Sequence, residues 1–229
     1  MNGTLYGVGI GPGDPELLTL KAVRLIKEAD LIAVPGSKKE NTVAYKIAVQ
    51  AVPEIDEKEF LELPWSMTKD PQKLEEIYLH ATALVKEQLE QGKNIAFLTL
   101  GDPCVYSTYL YIHKKIMEMG FQVQIISGIP SFCAAAARLN MGLVEKAEPL
   151  HVIPASYESE QIKELTGTRI FMKSGKKIGQ VKEFLTGQNA EVTMVENCGM
   201  EGERIFRSVE EIPEDAGYYS LIIAKERNN

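Results

Sequence analysis

Cysteine is scarce in this 229-residue chain: Cys104, Cys133 and Cys198 stand far apart and form no C-x-x-C. That spacing supports neither a disulfide framework nor a thiolate zinc site. The histidines, His80, His113 and His151, are as few and as scattered, so no metal is expected. His80 and His113 fall in amphipathic stretches, where a packed or solvated imidazole is the plain reading. No apolar run reaches the ~20 residues that a bilayer demands, so no membrane association is expected. The amino terminus shows no charged region, apolar core and cleavage site, and a cytoplasmic protein is expected. Positive charge is also short: 25 Lys and Arg against 32 Asp and Glu leave a net charge of −7. This argues against general nucleic-acid binding, which needs a basic face, but leaves room for a local basic pocket.

With 45% apolar and 25% charged residues, the length suits one large or two smaller globular domains. The stretch from Ile95 to Thr108 organises the rest. An apolar run of strand length stops at Gly101-Asp102-Pro103, and a helical pattern with Tyr109, Leu110, Ile112, His113, Ile116 and Met117 begins at about Ser107. In open α/β sheets ligands bind beyond the carboxyl ends of the strands, which is where Gly101–Thr108 would lie. Gly101 and Pro103 also suit a plain chain reversal.

Taken in order, the chain opens with Gly7, Gly9, Gly11 and Gly13 at every second position. Such spacing leaves one strand face bare for another backbone or a ligand. Asp14 and Pro15 suit the N-cap and first residue of a helix carrying Leu17, Leu18, Leu20, Ala22, Val23, Leu25 and Ile26. The full G-x-G-x-x-G fingerprint is missing, since Pro12 and Asp14 stand where glycine would be needed, and no G-K-[ST] follows. Strands at 30–34, 59–63, 95–100 and 122–127 alternate with helices at 41–52, after Asp70-Pro71, and after Ser107. This alternation predicts a mostly parallel five-stranded sheet covered on both faces. Ser127-Gly128-Ile129-Pro130 again ends a strand in a glycine loop before a helix, so two ligand-competent helix starts share one sheet edge. From about Leu150 the texture changes to strands at 150–154, 168–173, 191–197, 204–207 and 218–225 with two substantial helices, which predicts a mixed five-stranded second domain. The division is placed at 1–128 and 129–229.

Several motifs now stand in a fixed order: G-x-G-P-G-D-P-x-L-L-T from Gly9 to Thr19, G-D-P-x-x-Y-S-T from Gly101 to Thr108, and S-G-I-P-S-F from Ser127. Phe171-Met172, Val195-Glu196-Asn197 and Tyr219-Ser220-Leu221-Ile222-Ile223 follow. In order and spacing they resemble the tetrapyrrole methylases over nearly the whole chain. That resemblance implies two α/β domains with S-adenosylmethionine in the cleft between them and S-adenosylhomocysteine as product. The motif versions are most similar to the branch that methylates carbon 20 of precorrin-2 or of its cobalt form, cobalt-factor II, in corrinoid synthesis. A homodimer is implied as well. Same-fold relatives that act at another ring position, on ribosomal RNA or on a protein side chain are the rival readings.

The resemblance places the cofactor against Pro12, Gly101, Asp102, Pro103, Tyr106, Ser131, Phe132, Met172, Cys198, Gly199 and Ser220, and the macrocycle against Gly11 and Gly13. Asp102 has a second reading as cap of the following helix, and Phe132 and Met172 as core residues. No catalytic base is assigned, because Val34-Pro35-Gly36 stands where some siroheme-branch relatives carry a carboxylate. A polycarboxylate macrocycle needs a locally basic cleft. Lys38 and Lys39 after the second strand, and Lys173, Lys176 and Lys177 after Met172, are the candidates. The competing reading of each is a solvated face.

Overall fold

A computed structural model describes residues 1–65, 68, 70–154, 162 and 164–227, with the backbone alone for Lys176. The chain divides into two compact units, Met1–Pro130 and Ser131–Asn229.

In the first unit β1 (Thr4–Gly9), β2 (Leu31–Pro35), β3 (Glu59–Leu63), β4 (Ile95–Thr99) and β5 (Gln122–Ile126) form one sheet in the order β3-β2-β4-β1-β5. Every pairing is parallel. The helices between them are α1 (Leu20–Glu28), α2 (Val43–Ala51), α3 (Pro71–Glu90) and α4 (Tyr109–Glu118). The chain steps across the sheet in one direction from β1 to β3 and returns in the other from β3 to β5. Right-handed crossovers therefore put α1 and α2 on one face and α3 and α4 on the other. The cores agree. Val8, Ile10, Ala96 and Leu98 pack with Leu25, Ile26, Ile47 and Ala48, while Leu5, Ile95 and Phe97 pack with Val85, Leu89, Tyr109 and Ile112. Neighbouring strands β1 and β4 send their chains to opposite faces, the arrangement that opens a binding crevice at the carboxyl edge.

The opening helix differs from expectation. Asp14 accepts from the Glu16 amide at 2.8 Å, but the turn it caps is only Pro15–Leu17. Leu18 is extended, and α1 starts afresh with Thr19 as N-cap, its Oγ1 accepting from the Ala22 amide at 3.1 Å. The stripe is thus broken, which leaves Leu20 90% exposed. A second cap within five residues overrode an apolar periodicity that runs through both pieces. The long helix α3 begins as read, with Asp70 accepting from the Gln72 and Lys73 amides and Pro71 in the first turn.

The second unit contains α5 (Ser131–Arg138), β6 (Leu150–Pro154), β7 (Thr168–Met172), α6 (Ile178–Leu185), β8 (Ala190–Glu196), β9 (Arg204–Phe206) and β10 (Ser220–Glu226). Its sheet runs β6-β7-β10-β8-β9 and is mixed, with β6 and β7 parallel and the other pairs antiparallel. The last strand inserts between β7 and β8, so Leu221–Ala224 is buried on both faces. One face packs Phe171, Met194 and Ile222 on Ile178, Val181 and Leu185 of α6. The other packs Ile170, Val195, Leu221 and Ile223 on Ala135, Ala136 and Leu139. Of the two helices expected among these strands α6 is described, and the segment between β6 and β7 lies mainly outside the described residues.

Candidate functional site

At the carboxyl edge of the first sheet three loops meet backbone to backbone. Gly11 and Gly101 form an isolated antiparallel bridge, the Gly101 amide donating to Gly11 O at 2.8 Å and the Gly11 amide to Gly101 O at 3.3 Å. A side chain at Gly9 would lie 2.5 Å from Gly128 N, and one at Gly128 only 2.2 Å from Gly101 O. Glycine is needed at both because the loops after β1, β4 and β5 touch there. Gly7 serves a different purpose, since a Cβ would sit 2.0 Å from the ring of Tyr109, which is fully buried. Of the alternating glycines, Gly7 therefore admits an aromatic ring into the core and Gly9 admits another backbone.

Asp102 joins this junction. Its Oδ1 accepts from the Cys104 amide at 2.7 Å and its Oδ2 from the Gly128 amide at 2.9 Å. The cap reading of Asp102 is corrected: the residue that opens α4 is Thr108, and Asp102 instead closes the Asp102–Val105 turn and ties the β4 loop to the β5 loop. Pro12, Gly13 and Pro103 are buried beside these contacts. Tyr106 is 46% exposed and holds a left-handed φ of 49°, a conformation costly for a residue with a side chain. Gly101, at φ 73°, is buried yet has room for a side-chain atom, for a Cβ there would find nothing nearer than Ile129 O at 3.9 Å. Thr99, at the end of β4, has a buried Oγ1 with no hydrogen-bond partner. Room against the bare backbone of Gly101 fits a small ligand lying along the loop.

The loop after β2 is pinned. The Lys39 amide donates to Glu62 Oε1 at 2.7 Å, and its ammonium donates to Asp56 at 2.9 Å while lying over the rings of Tyr45 and Phe60. The Tyr45 hydroxyl donates to the same carboxylate. The bond to Asp56 raises the Lys39 ammonium above its ordinary value, and the bonds from Tyr45 and then Lys39 hold the Asp56 carboxyl below its own. Lys39 therefore anchors the loop, and Lys38, which is exposed, is the lysine of this pair turned to solvent.

In the second unit Phe132, Met172 and Cys198 are half-buried and each packs against the cluster that includes Ala135, Ile170 and Val195. Ser131 opens α5 next to Phe132. Lys173, at φ 58°, and Lys177 are exposed beyond β7, and the Lys176 side chain lies outside the described residues. Ser220 is 2% exposed, and its hydroxyl donates to Gly217 O at 2.8 Å, which serves the β10 turn. Buried Glu196 accepts from the Gly217 amide at 2.5 Å and from Arg204 at 2.6 Å, closing the same corner. Cys198 and Gly199 sit in the turn after β8, where Asn197, Gly199 and Gly202 all have positive φ.

Residues 4–213 match the family described as Tetrapyrrole (Corrin/Porphyrin) Methylases. The chain belongs to this family. It is 35% identical over 225 residues to a probable cobalt-precorrin-2 C(20)-methyltransferase of Methanocaldococcus jannaschii, covering 96% of this chain and 95% of that one. To a precorrin-2 C(20)-methyltransferase of Sinorhizobium it is 28% identical over 240 residues, covering 96% and 94%. In fold it is similar to a uroporphyrin-III C-methyl transferase from Thermus thermophilus solved with S-adenyl homocysteine, with a TM-score of 0.72, 24% identity and 98% of each chain covered.

Three features of this tetrapyrrole methylase escaped the sequence reading: the bond from Gly128 to Asp102, the seat for Tyr109 at Gly7, and the pairing of Glu203 with Gly199. The alternating glycines signalled the second. The other two join residues whose proximity no local pattern reveals.

Proposed function

We propose that this tetrapyrrole methylase transfers the methyl group of S-adenosylmethionine to carbon 20 of a precorrin-2-type macrocycle, preferring the cobalt-bearing form, and releases S-adenosylhomocysteine. The observation that carries the reading is full-length likeness to C(20)-methyltransferases, at 35% identity to a cobalt-precorrin-2 relative and at 28% both to a second cobalt-precorrin-2 relative, from Salmonella typhimurium, and to the precorrin-2 relative. The residues fit such a donor. Pro12, Gly101, Asp102, Pro103 and Tyr106 in the first unit, and Ser131, Phe132, Met172, Cys198 and Gly199 in the second, are assigned to it. Gly11, Gly13, Lys38, Lys173, Lys176 and Lys177 are assigned to the macrocycle, with Lys39 anchoring the loop that carries Lys38.

Bound S-adenosylmethionine supplies an electrophilic methyl on a sulfonium. The carbon–carbon bond would form as the carbon–sulfur bond breaks with its electron pair left on sulfur, and the methylated macrocycle would then release one proton to solvent. An electron-rich meso carbon needs no covalent help from the protein, so the work of the chain is alignment and exclusion of water, which supply several kcal/mol of the barrier. The packed Gly9, Gly101 and Gly128 junction provides a rigid, side-chain-free wall for that alignment. Apolar cover is assigned to Tyr106 in the first unit and, separately, to Phe132, Met172 and Cys198 in the second. Lysines at the strand ends neutralise the carboxylates of the macrocycle and raise its encounter rate.

The test is incubation of the purified protein with labelled S-adenosylmethionine and, in separate reactions, cobalt-sirohydrochlorin, metal-free precorrin-2, total RNA or cell protein. Label is expected in the tetrapyrroles, with the cobalt form favoured. Label in RNA or protein alone would reject the reading, and the net charge of −7 already disfavours RNA. A cytoplasmic homodimer completes the proposal. Three cysteines, scattered along the chain with no C-x-x-C, suit a reducing compartment. Sedimentation at twice the 25.4 kDa chain mass is expected.

A further inference from the structure

The turn that carries Cys198 and Gly199 is built to hold one shape. Met200 N donates to Asn197 O at 2.9 Å, Glu203 N to Met200 O at 3.2 Å, and Asn197 Nδ2 to Gly202 O at 3.3 Å. Glu203 closes it from the far side. Its Oε2 accepts from the Gly199 amide at 2.9 Å, and its Oε1 accepts from Arg138 Nε at 2.6 Å. Arg138 is the last residue of α5, the helix that begins with Ser131 and Phe132. One carboxylate thus fastens two segments that both carry residues assigned to the methyl donor. The Glu203 side chain is 17% exposed although charged, while Arg138 is 57% exposed. An ion pair to so exposed a partner adds little by itself. The bonds that this largely sheltered carboxylate accepts from a backbone amide and a guanidinium are of the stronger, charge-assisted kind.

We infer that Glu203 is a positioning residue for the methyl donor, setting the Gly199 amide and the Cys198–Gly199 turn against α5 with Arg138 as its brace. The inference rests on the proposed use of S-adenosylmethionine at these residues. Glu203 itself need not touch the donor. Loss of its carboxylate frees the turn, so the donor must order that turn on binding and its affinity falls. A donor that has bound still meets the same reacting carbon, so the rate at saturation changes little.

The experiment is calorimetric titration of S-adenosylhomocysteine into the parent, Glu203→Ala, Glu203→Gln and Arg138→Gln proteins, with melting temperatures of the ligand-free forms. Glu203→Ala is expected to weaken binding about tenfold, and Glu203→Gln and Arg138→Gln by less, in keeping with loss of charge-assisted bonds. Methyl-transfer rate at saturating donor is expected to stay within about threefold of the parent, so that KM moves and kcat does not. Arg138→Gln changes an exposed side chain and decides the matter should Glu203→Ala not fold. Parent protein that binds while every folded variant binds equally well overturns the inference and leaves the function standing. Parent protein that fails to bind S-adenosylhomocysteine overturns the proposed function and the inference with it.

Discussion

Replacing Gly128 by alanine tests whether the three glycine loops are held together by the absence of side chains. Gly128 does not have a positive φ, so alanine meets no torsional penalty there and the effect is steric. Its Cβ would lie 2.2 Å from Gly101 O and 2.8 and 2.9 Å from C and Cα of Gly9. All three are backbone atoms in central strands or their loops and have no rotamer to move. The first separation must grow by at least about 1 Å to reach ordinary van der Waals distance. Overpacking of this kind costs ~1–3 kcal/mol. The shift also loosens the Gly128–Asp102 and Gly101–Gly11 hydrogen bonds, at about 1 kcal/mol each. A total of about 3–5 kcal/mol, at ~2–4 °C per kcal/mol for a chain of this size, lowers the melting temperature by roughly 6–20 °C. Gly179→Ala is the control: it lies inside α6 with nothing within 4 Å of a Cβ. There alanine is expected to stabilise by about 0.5–1 kcal/mol. Thermal unfolding followed by circular dichroism compares the two. A Gly128→Ala protein that melts within about 2 °C of the parent would refute the close packing of the loops.

Gly101→Leu fills the room beside the β4 loop, and its left-handed φ of 73° adds about 1–2 kcal/mol of strain. Calorimetry is expected to show loss of S-adenosylhomocysteine binding in a protein that still folds, and unchanged affinity would remove Gly101 from the donor site. Lys38→Glu is expected to raise the KM for the tetrapyrrole about two- to tenfold at low salt and to flatten its salt dependence, with donor affinity unaltered. An unchanged KM returns Lys38 to the solvated surface. Burial lowers the pKa of His113, whose Nδ1 lies 2.9 Å from the Tyr109 hydroxyl. The unfolded chain then takes up this proton first, so the contribution is complete above the ordinary value of 6.5 and is lost as pH falls below it. Melting curves on either side of that value are expected to show a steeper acid loss in the parent than in His113→Gln, and parallel losses would exclude His113 as the cause.

Much of the architecture was legible because it depends on neighbours within a few residues. Strand and helix periods located all ten described strands, and Asp70-Pro71 marked the start of α3. The glycine loops were recognisable as loops, and the ordered motifs pointed to the family that residues 4–213 match. Where two local signals competed, as at Asp14 and Thr19, the apolar stripe alone misjudged the helix start, since capping energy is set at single residues and periodicity is an average.

Tertiary structure alone decided the rest. Strand order, with β10 passing between β7 and β8, follows from which apolar faces meet and not from chain sequence. The same alternation of glycines gave Gly7 to an aromatic ring and Gly9 to a backbone. Asp102 finds its second partner 26 residues away and Glu203 finds Arg138 at a distance of 65. Lys39, one of two adjacent lysines with the same local signal, is fixed by Asp56 and two rings while Lys38 remains in solvent. In each case composition declared a side chain able to pair, and the long-range meeting of strands and loops chose the partner.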